Sequence, residues 1–152
     1  MNARTLLLVV LASVSFGAVA QSRDPATPEV VVHKSASCQC CKRWVEHLKK
    51  AGFAVQAHDV RDLRLIRQRA GVPTRLEACH TAKVGGYFVE GHVPAADIKR
   101  LLRERPAAKG LAVPGMPTGS PGMEVRSGKV NPYEVLLVTQ DGKTSVFARH
   151  GQ

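Results

Sequence analysis

The chain predicts a mixed α/β domain, and two observations carry that expectation. Glu29 to Lys34 reads as a strand with a buried Val30-Val31-Val32 run, Lys42 to Ala51 as a helix, and Phe53 to Val60 as an alternating second strand. Strand, helix, strand in that order implies a parallel pair with a right-handed crossover. The second observation is chemical. Cys38, Cys40 and Cys41, three of the chain's four cysteines, fall in the turn between the first strand and the first helix. A cysteine motif opening the first helix of such a unit points to a thioredoxin-like architecture.

Each further element follows in order. Trp44, Val45 and Leu48 give the first helix its apolar stripe, and Gly52 ends it. Asp62 is placed to cap a second helix running to Ala70, with Leu63 and Ile66 inward and Gly71 as its stop. Lys83 to Val84 and Tyr87 to Glu90 read as short strands around Gly85-Gly86. Pro94 starts a third helix through Asp97, Ile98, Leu101 and Leu102 to Arg105, and Pro106 stops it. Gly110 to Gly128 reads as a loop. Tyr133 to Thr139 and Thr144 to Arg149, joined at Asp141-Gly142, read as a hairpin. The expectation is a thioredoxin-like domain over 29–152, with the loop and the β-hairpin as a C-terminal extension and 21–28 as a polar lead.

Residues 1–20 are expected to be a secretory signal peptide. Arg4 supplies the positive start, Leu6 to Phe16 is mostly apolar, and Ala18-Val19-Ala20 is a small-residue cleavage site. No second stretch is long and apolar enough to cross a bilayer, so the mature chain is expected to carry no transmembrane segment. The expected location is a bacterial periplasm.

The formal net charge is +10, and Arg4 leaving with the signal takes it to +9. Basic residues cluster at Arg61, Arg64, Arg67 and Arg69, and at Lys99, Arg100, Arg103 and Arg105. No nucleic-acid reader motif accompanies them, so nucleic acid is not the expected partner. They read as a solvated basic face.

An oxidising compartment makes two disulfides the default for four cysteines. The spacing resists it. A bond between the neighbours Cys40 and Cys41 is strained. Cys38 with Cys41 has ordinary C-x-x-C spacing, which leaves Cys40 only Cys79. The helix N-terminus favours a thiolate, which is both nucleophile and metal ligand. Three readings stay open on the residues alone: a soft-metal site, a thiol–disulfide oxidoreductase using Cys38 and Cys41, and a zinc-stabilised module. Thiolates and thioethers favour Cu(I). Met116 and Met123 lie together in the Gly/Pro-rich loop, where Met116 suits a thioether ligand and equally a hydrophobic latch, and Met123 suits the latch better.

The histidines carry weaker signals. His80 gains interest from standing beside Cys79, and His33 from the end of the first strand. His47 reads as the outer side of the first helix, and His58, His92 and His150 as surface or strand-end residues. Nothing in the chain supports hydrolysis or phosphoryl transfer: there is no P-loop, no G-x-S-x-G and no H-E-x-x-H.

Several separated motifs occur together. They are Cys38-x-Cys40-Cys41 after a strand, Cys79-His80-Thr81-Ala82, Val89-Glu90-Gly91-His92-Val93-Pro94, Gly115-Met116-Pro117, and Gly119-Ser120-Pro121-Gly122-Met123-Glu124. This series, over His33 to Glu124, resembles the CopG-like family of periplasmic proteins associated with bacterial copper resistance. The resemblance implies a thioredoxin-like fold and a cysteine-bound, multinuclear, redox-capable copper site. It implies Cys38, Cys40, Cys41 and Cys79 as ligands, Met116 as a thioether contributor, and His80 and Met123 as second-tier residues. The segment from Tyr87 to Pro94 is expected to be structural. The implied cargo is Cu(I), as several ions, and the implied partners are a copper exporter or another periplasmic copper protein.

Overall fold

The computed structural model describes residues 28–152. The expected signal peptide and all but the last residue of the lead lie outside the described residues. The elements are β1 (Val30–Lys34), α1 (Gln39–Lys50), β2 (Val55–Asp59), α2 (Arg64–Ala70), a 3-10 turn (Thr74–Leu76), β3 (His80–Val84), β4 (Tyr87–Glu90), α3 (Ala95–Glu104), β5 (Ala108–Ala112), β6 (Tyr133–Thr139) and β7 (Thr144–His150). All strands join one sheet in the order β2-β1-β3-β4-β5-β6-β7. β1 and β2 run parallel, as the strand–helix–strand order predicts. β3 is antiparallel to β1 and to β4, and β5 returns parallel to β4.

The sheet buries both faces. Trp44, Val45 and Leu48 of α1 and Ile98 and Leu101 of α3 pack with Val30, Val32, Val89, Leu111 and Val135. Adjacent strand residues, pointing the other way, form a second cluster: Phe88, Ala112 and Val138 with Val72 and Leu76. The single tryptophan is the anchor of the larger core. It is fully buried, and its indole Nε1 donates to Val93 O at 2.9 Å.

The expected C-terminal hairpin extends the sheet itself, because β6 pairs antiparallel with β5. One expectation is corrected here. The loop begins later than expected, since Gly110 to Ala112 belongs to β5. The short sequence Ala-Lys-Gly-Leu-Ala carries little alternation and a glycine, which hid the strand. That glycine is required: a Cβ on Gly110 would lie 2.1 Å from Phe88 O on the neighbouring strand.

The basic face is also corrected at three positions, since Lys99 and Arg100 are half-buried and Arg67 is buried. Arg61, Arg64, Arg69, Arg103 and Arg105 are exposed. Arg67 is only 7% exposed and turns inward to the fully buried Glu90.

Candidate metal centre

The helix begins three residues earlier than the apolar stripe alone suggests. Cys38 is the N-cap of α1, and its Sγ accepts from Cys41 N at 3.3 Å. Cys40 and Cys41 therefore occupy the first helical turn, where backbone N–H groups lack intrahelical acceptors. Cys41 is buried in the core, while Cys38 and Cys40 are half-buried. Cys38 and Cys41 are joined by a disulfide, and Cys40 and Cys79 are free thiols.

Cys79 arrives from the other side of the sheet, one residue before β3. Its Sγ lies 3.9 Å from Cys40 Sγ, which in turn lies 3.4 Å from Cys38 Sγ. The sulfurs of Cys38, Cys40, Cys41 and Cys79 all fall within 4.8 Å of one another, a group able to hold a metal ion. The expectation that Cys79 faces the cysteine turn is met in space.

A second group overlaps the first. Cys79 Sγ is 3.0 Å from His92 Nε2 and 3.3 Å from His80 Nδ1, and these three ligating atoms also lie within 4.8 Å of one another. His92 Nδ1 is 2.8 Å from Pro121 O. A carbonyl only accepts, so the ring proton is assigned to Nδ1 and the Nε2 lone pair faces the sulfur. A ring oriented by a backbone carbonyl at its far nitrogen is the usual support for a metal-binding histidine.

Burial sets the protonation states. The Cys79 thiol is pushed up to about 12, first by desolvation and then by Cys40 beside it. His80 is fully buried against the Trp44 ring, with centroids 4.3 Å apart. Desolvation pulls it down to about 3, with His92 opposing its charge as well. His92 is lowered by desolvation too. Both imidazoles are thus neutral near pH 7, the form that binds metals. The donor set fits a soft cation: four sulfurs and two neutral imidazoles, with no carboxylate in either group.

His92 is the residue that sequence reasoning misplaced. It is fully buried at the cluster, not on the surface. A signal for it was present. The β3–β4 hairpin pairs Val84 with Tyr87 and Thr81 with Glu90 across the Gly85-Gly86 turn. Counting one pair further sets His80 beside Gly91, where Gly91 N donates to His80 O at 3.0 Å. One pair beyond that sets Cys79 opposite His92. The other histidines do different work. His47 is half-buried, not outer, and its Nε2 accepts from Ala95 N at 3.0 Å at the start of α3. His33 stacks on His58 at 5.4 Å, and His150 pairs with Asp97 at 2.7 Å.

The loop after β5 closes over the cluster. Pro121 holds His92, and Arg43 Nε donates to Gly122 O at 2.8 Å. A Cβ on Gly122 would lie 2.6 Å from Cys40 O and 2.9 Å from Trp44 N, so this loop lies directly on the first turn of α1. Met123 is half-buried, and Met116 is 55% exposed.

Comparison with solved structures gives two matches named copper resistance protein CopG. Form 2 is 47% identical, with a TM-score of 0.77, and the match covers 82% of this chain and 98% of that one. Form 1 is 46% identical, with a TM-score of 0.78, covering 83% of this chain and 99% of that one. A family described as a protein of unknown function, DUF411, matches residues 76–123, the stretch from the 3-10 turn through Cys79, His80 and His92 to Met123. No curated protein matches the chain.

Proposed function

The chain belongs to the CopG family of copper resistance proteins, and from that premise we propose that it binds Cu(I) as cargo in a thiolate-bridged, multinuclear site and limits copper toxicity in the periplasm. One observation carries the reading: Cys79 belongs to both ligating groups, so its sulfur is available to bridge ions held on either side. In this reading Cys38, Cys40, Cys41 and Cys79 are the thiolate ligands, His92 and His80 add imidazoles, and Met116 and Met123 add thioethers from the covering loop. Thiolate and thioether donors select Cu(I) over harder divalent ions. The same thiols can cycle between disulfide and ligand, which makes the site redox-capable. The recipient is a copper exporter or another periplasmic copper protein. The strand order β2-β1-β3-β4, with the cysteine turn opening α1, supports a thioredoxin-like description of this part of the sheet.

The deciding experiment is copper stoichiometry of the chain from residue 21, after anaerobic reduction, Cu(I) loading and desalting against a competing chelator. More than one copper retained per chain is the expected result. No retained copper with four reduced thiols sinks the proposal. The closed Cys38–Cys41 bond favours one second reading, a thiol–disulfide oxidoreductase with Cys38 as the attacking thiol. Rapid insulin reduction by metal-free protein is its signature.

A further inference from the structure

The buried ion pair between Arg67 and Glu90 has no part in either ligating group, yet it lies against the residue before Cys79. Taking two charges out of water is unfavourable unless close pairing and further hydrogen bonds compensate. Glu90 is fully buried and Arg67 is 7% exposed. Glu90 Oε1 accepts from Arg67 Nε at 3.0 Å, Arg67 Nη2 at 2.9 Å and Ala78 N at 2.7 Å. Arg67 Nη2 also donates to Ala78 O, and its Nη1 reaches Glu77 Oε2 at 3.5 Å.

The two side chains therefore grip both polar groups of Ala78, the residue before Cys79. The Ala78 carbonyl lies in the peptide that leads into Cys79, and its N–H lies in the peptide before that. Peptides are planar, so fixing two successive planes fixes the backbone torsions of Ala78 and the direction in which the chain enters Cys79. Cys79 itself precedes the first residue of β3. The clamp sets the direction from which Cys79 reaches Cys40 and His92, while Gly91 N, donating to His80 O at 3.0 Å, fixes the residue after it.

We propose that Arg67 and Glu90 are positioning residues for the Cys79 thiol, coupling α2 and the end of β4 to the shared sulfur of the metal centre. The consequence for copper rests on the function proposed above; the clamp itself does not. Supporting groups of this kind commonly change metal affinity by about 10–100-fold when removed.

The test uses Arg67→Met/Glu90→Leu, which removes both charges together and keeps apolar volume. In the metal-free protein with Cys38–Cys41 closed, Cys40 and Cys79 are the free thiols among the described residues. A timed pulse of iodoacetamide followed by peptide mass spectrometry reads each separately. The expected result is a several-fold rise in Cys79 labelling relative to Cys40. An unchanged ratio overturns the proposal. In reduced protein, Cu(I) affinity by chelator competition is expected to fall about tenfold, and not to fall further in a Cys79→Ser background. An equal loss in both backgrounds also overturns it. If circular dichroism shows the paired variant unfolded, Glu90→Gln carries the same measurements under the same criteria. A parent that binds no copper defeats the copper reading alone, because the labelling ratio still decides the clamp.

Discussion

Cys79 Sγ lies 3.0 Å from His92 Nε2, and this contact ties the entry of β3 to the exit of β4 at the point where the covering loop comes down. The imidazole is held from behind by Pro121, so its lone pair is aimed before any ion arrives. The cluster is consequently not a thiol turn alone. It has a nitrogen side, and the two sides share one sulfur.

His92→Phe keeps the ring volume and removes the donor. Cu(I) affinity measured by competition with a chromophoric chelator is expected to fall at least about tenfold, in line with losses at oriented metal-site histidines. His58→Phe, exposed on β2, is expected to leave the affinity unchanged.

The Cys38–Cys41 bond controls how many thiols are available. With it closed, Cys40 and Cys79 are the free thiols among the described residues; reduction doubles the set. Copper retained per chain is therefore expected to be lower in oxidised protein than in anaerobically reduced protein, and to recover on adding a phosphine reductant. Equal copper in both states would show that Cys38 and Cys41 contribute no ligand.

Copper loading should also expel protons. Cys79 is held up at about 12, so at pH 7 its sulfur carries a proton that must leave before it binds a cation. Apparent affinity is expected to weaken as pH falls, by roughly tenfold per unit for each thiol proton displaced. Cys79→Ser should reduce the slope, read as proton uptake or release in weakly buffered solution during titration.

Acid should destabilise the metal-free fold through His80. Its ordinary value is 6.5, and burial lowers it to about 3. Between those limits the unfolded chain takes up a proton that the folded chain excludes. The contribution is therefore present in full above 6.5 and lost progressively below it. From pH 7 to pH 5 the loss is about 2 kcal/mol from this residue. His92, also lowered, acts in the same direction, while Glu90, held above its usual range by desolvation, acts in the opposite one. Urea denaturation at the two pH values should show the loss in the parent and a flatter dependence in His80→Phe.

Much of this was legible in local pattern. The strand–helix–strand start, the Asp141-Gly142 hairpin and the proline-led third helix all follow from residues close in sequence, and all are present. The pairing of Cys38 with Cys41 was legible as one option from C-x-x-C spacing. Non-local partners were less legible. Arg67 looked like any other arginine of a basic run until Glu90 was brought beneath it. β5 was hidden because its glycine answers to Phe88 on another strand. His92 required the register of a hairpin to be carried two residues past its last strand pair, where no local pattern marks a buried ring.

The covering loop itself is testable at Gly122. The residue has φ +86°, and a Cβ there would lie 2.6 Å from Cys40 O and 2.9 Å from Trp44 N, both backbone atoms of α1. Neither can give way without moving the first helical turn. Gly122→Ala is expected to lower stability by about 2 kcal/mol from strain and crowding together. It should also lift Pro121 from His92 and leave the imidazole unoriented. The signature is a joint effect: a lower urea midpoint, and a further loss of Cu(I) affinity that disappears when His92→Phe is already present. Loss of stability with unchanged affinity would make the loop a cover for the core and not a wall of the metal centre.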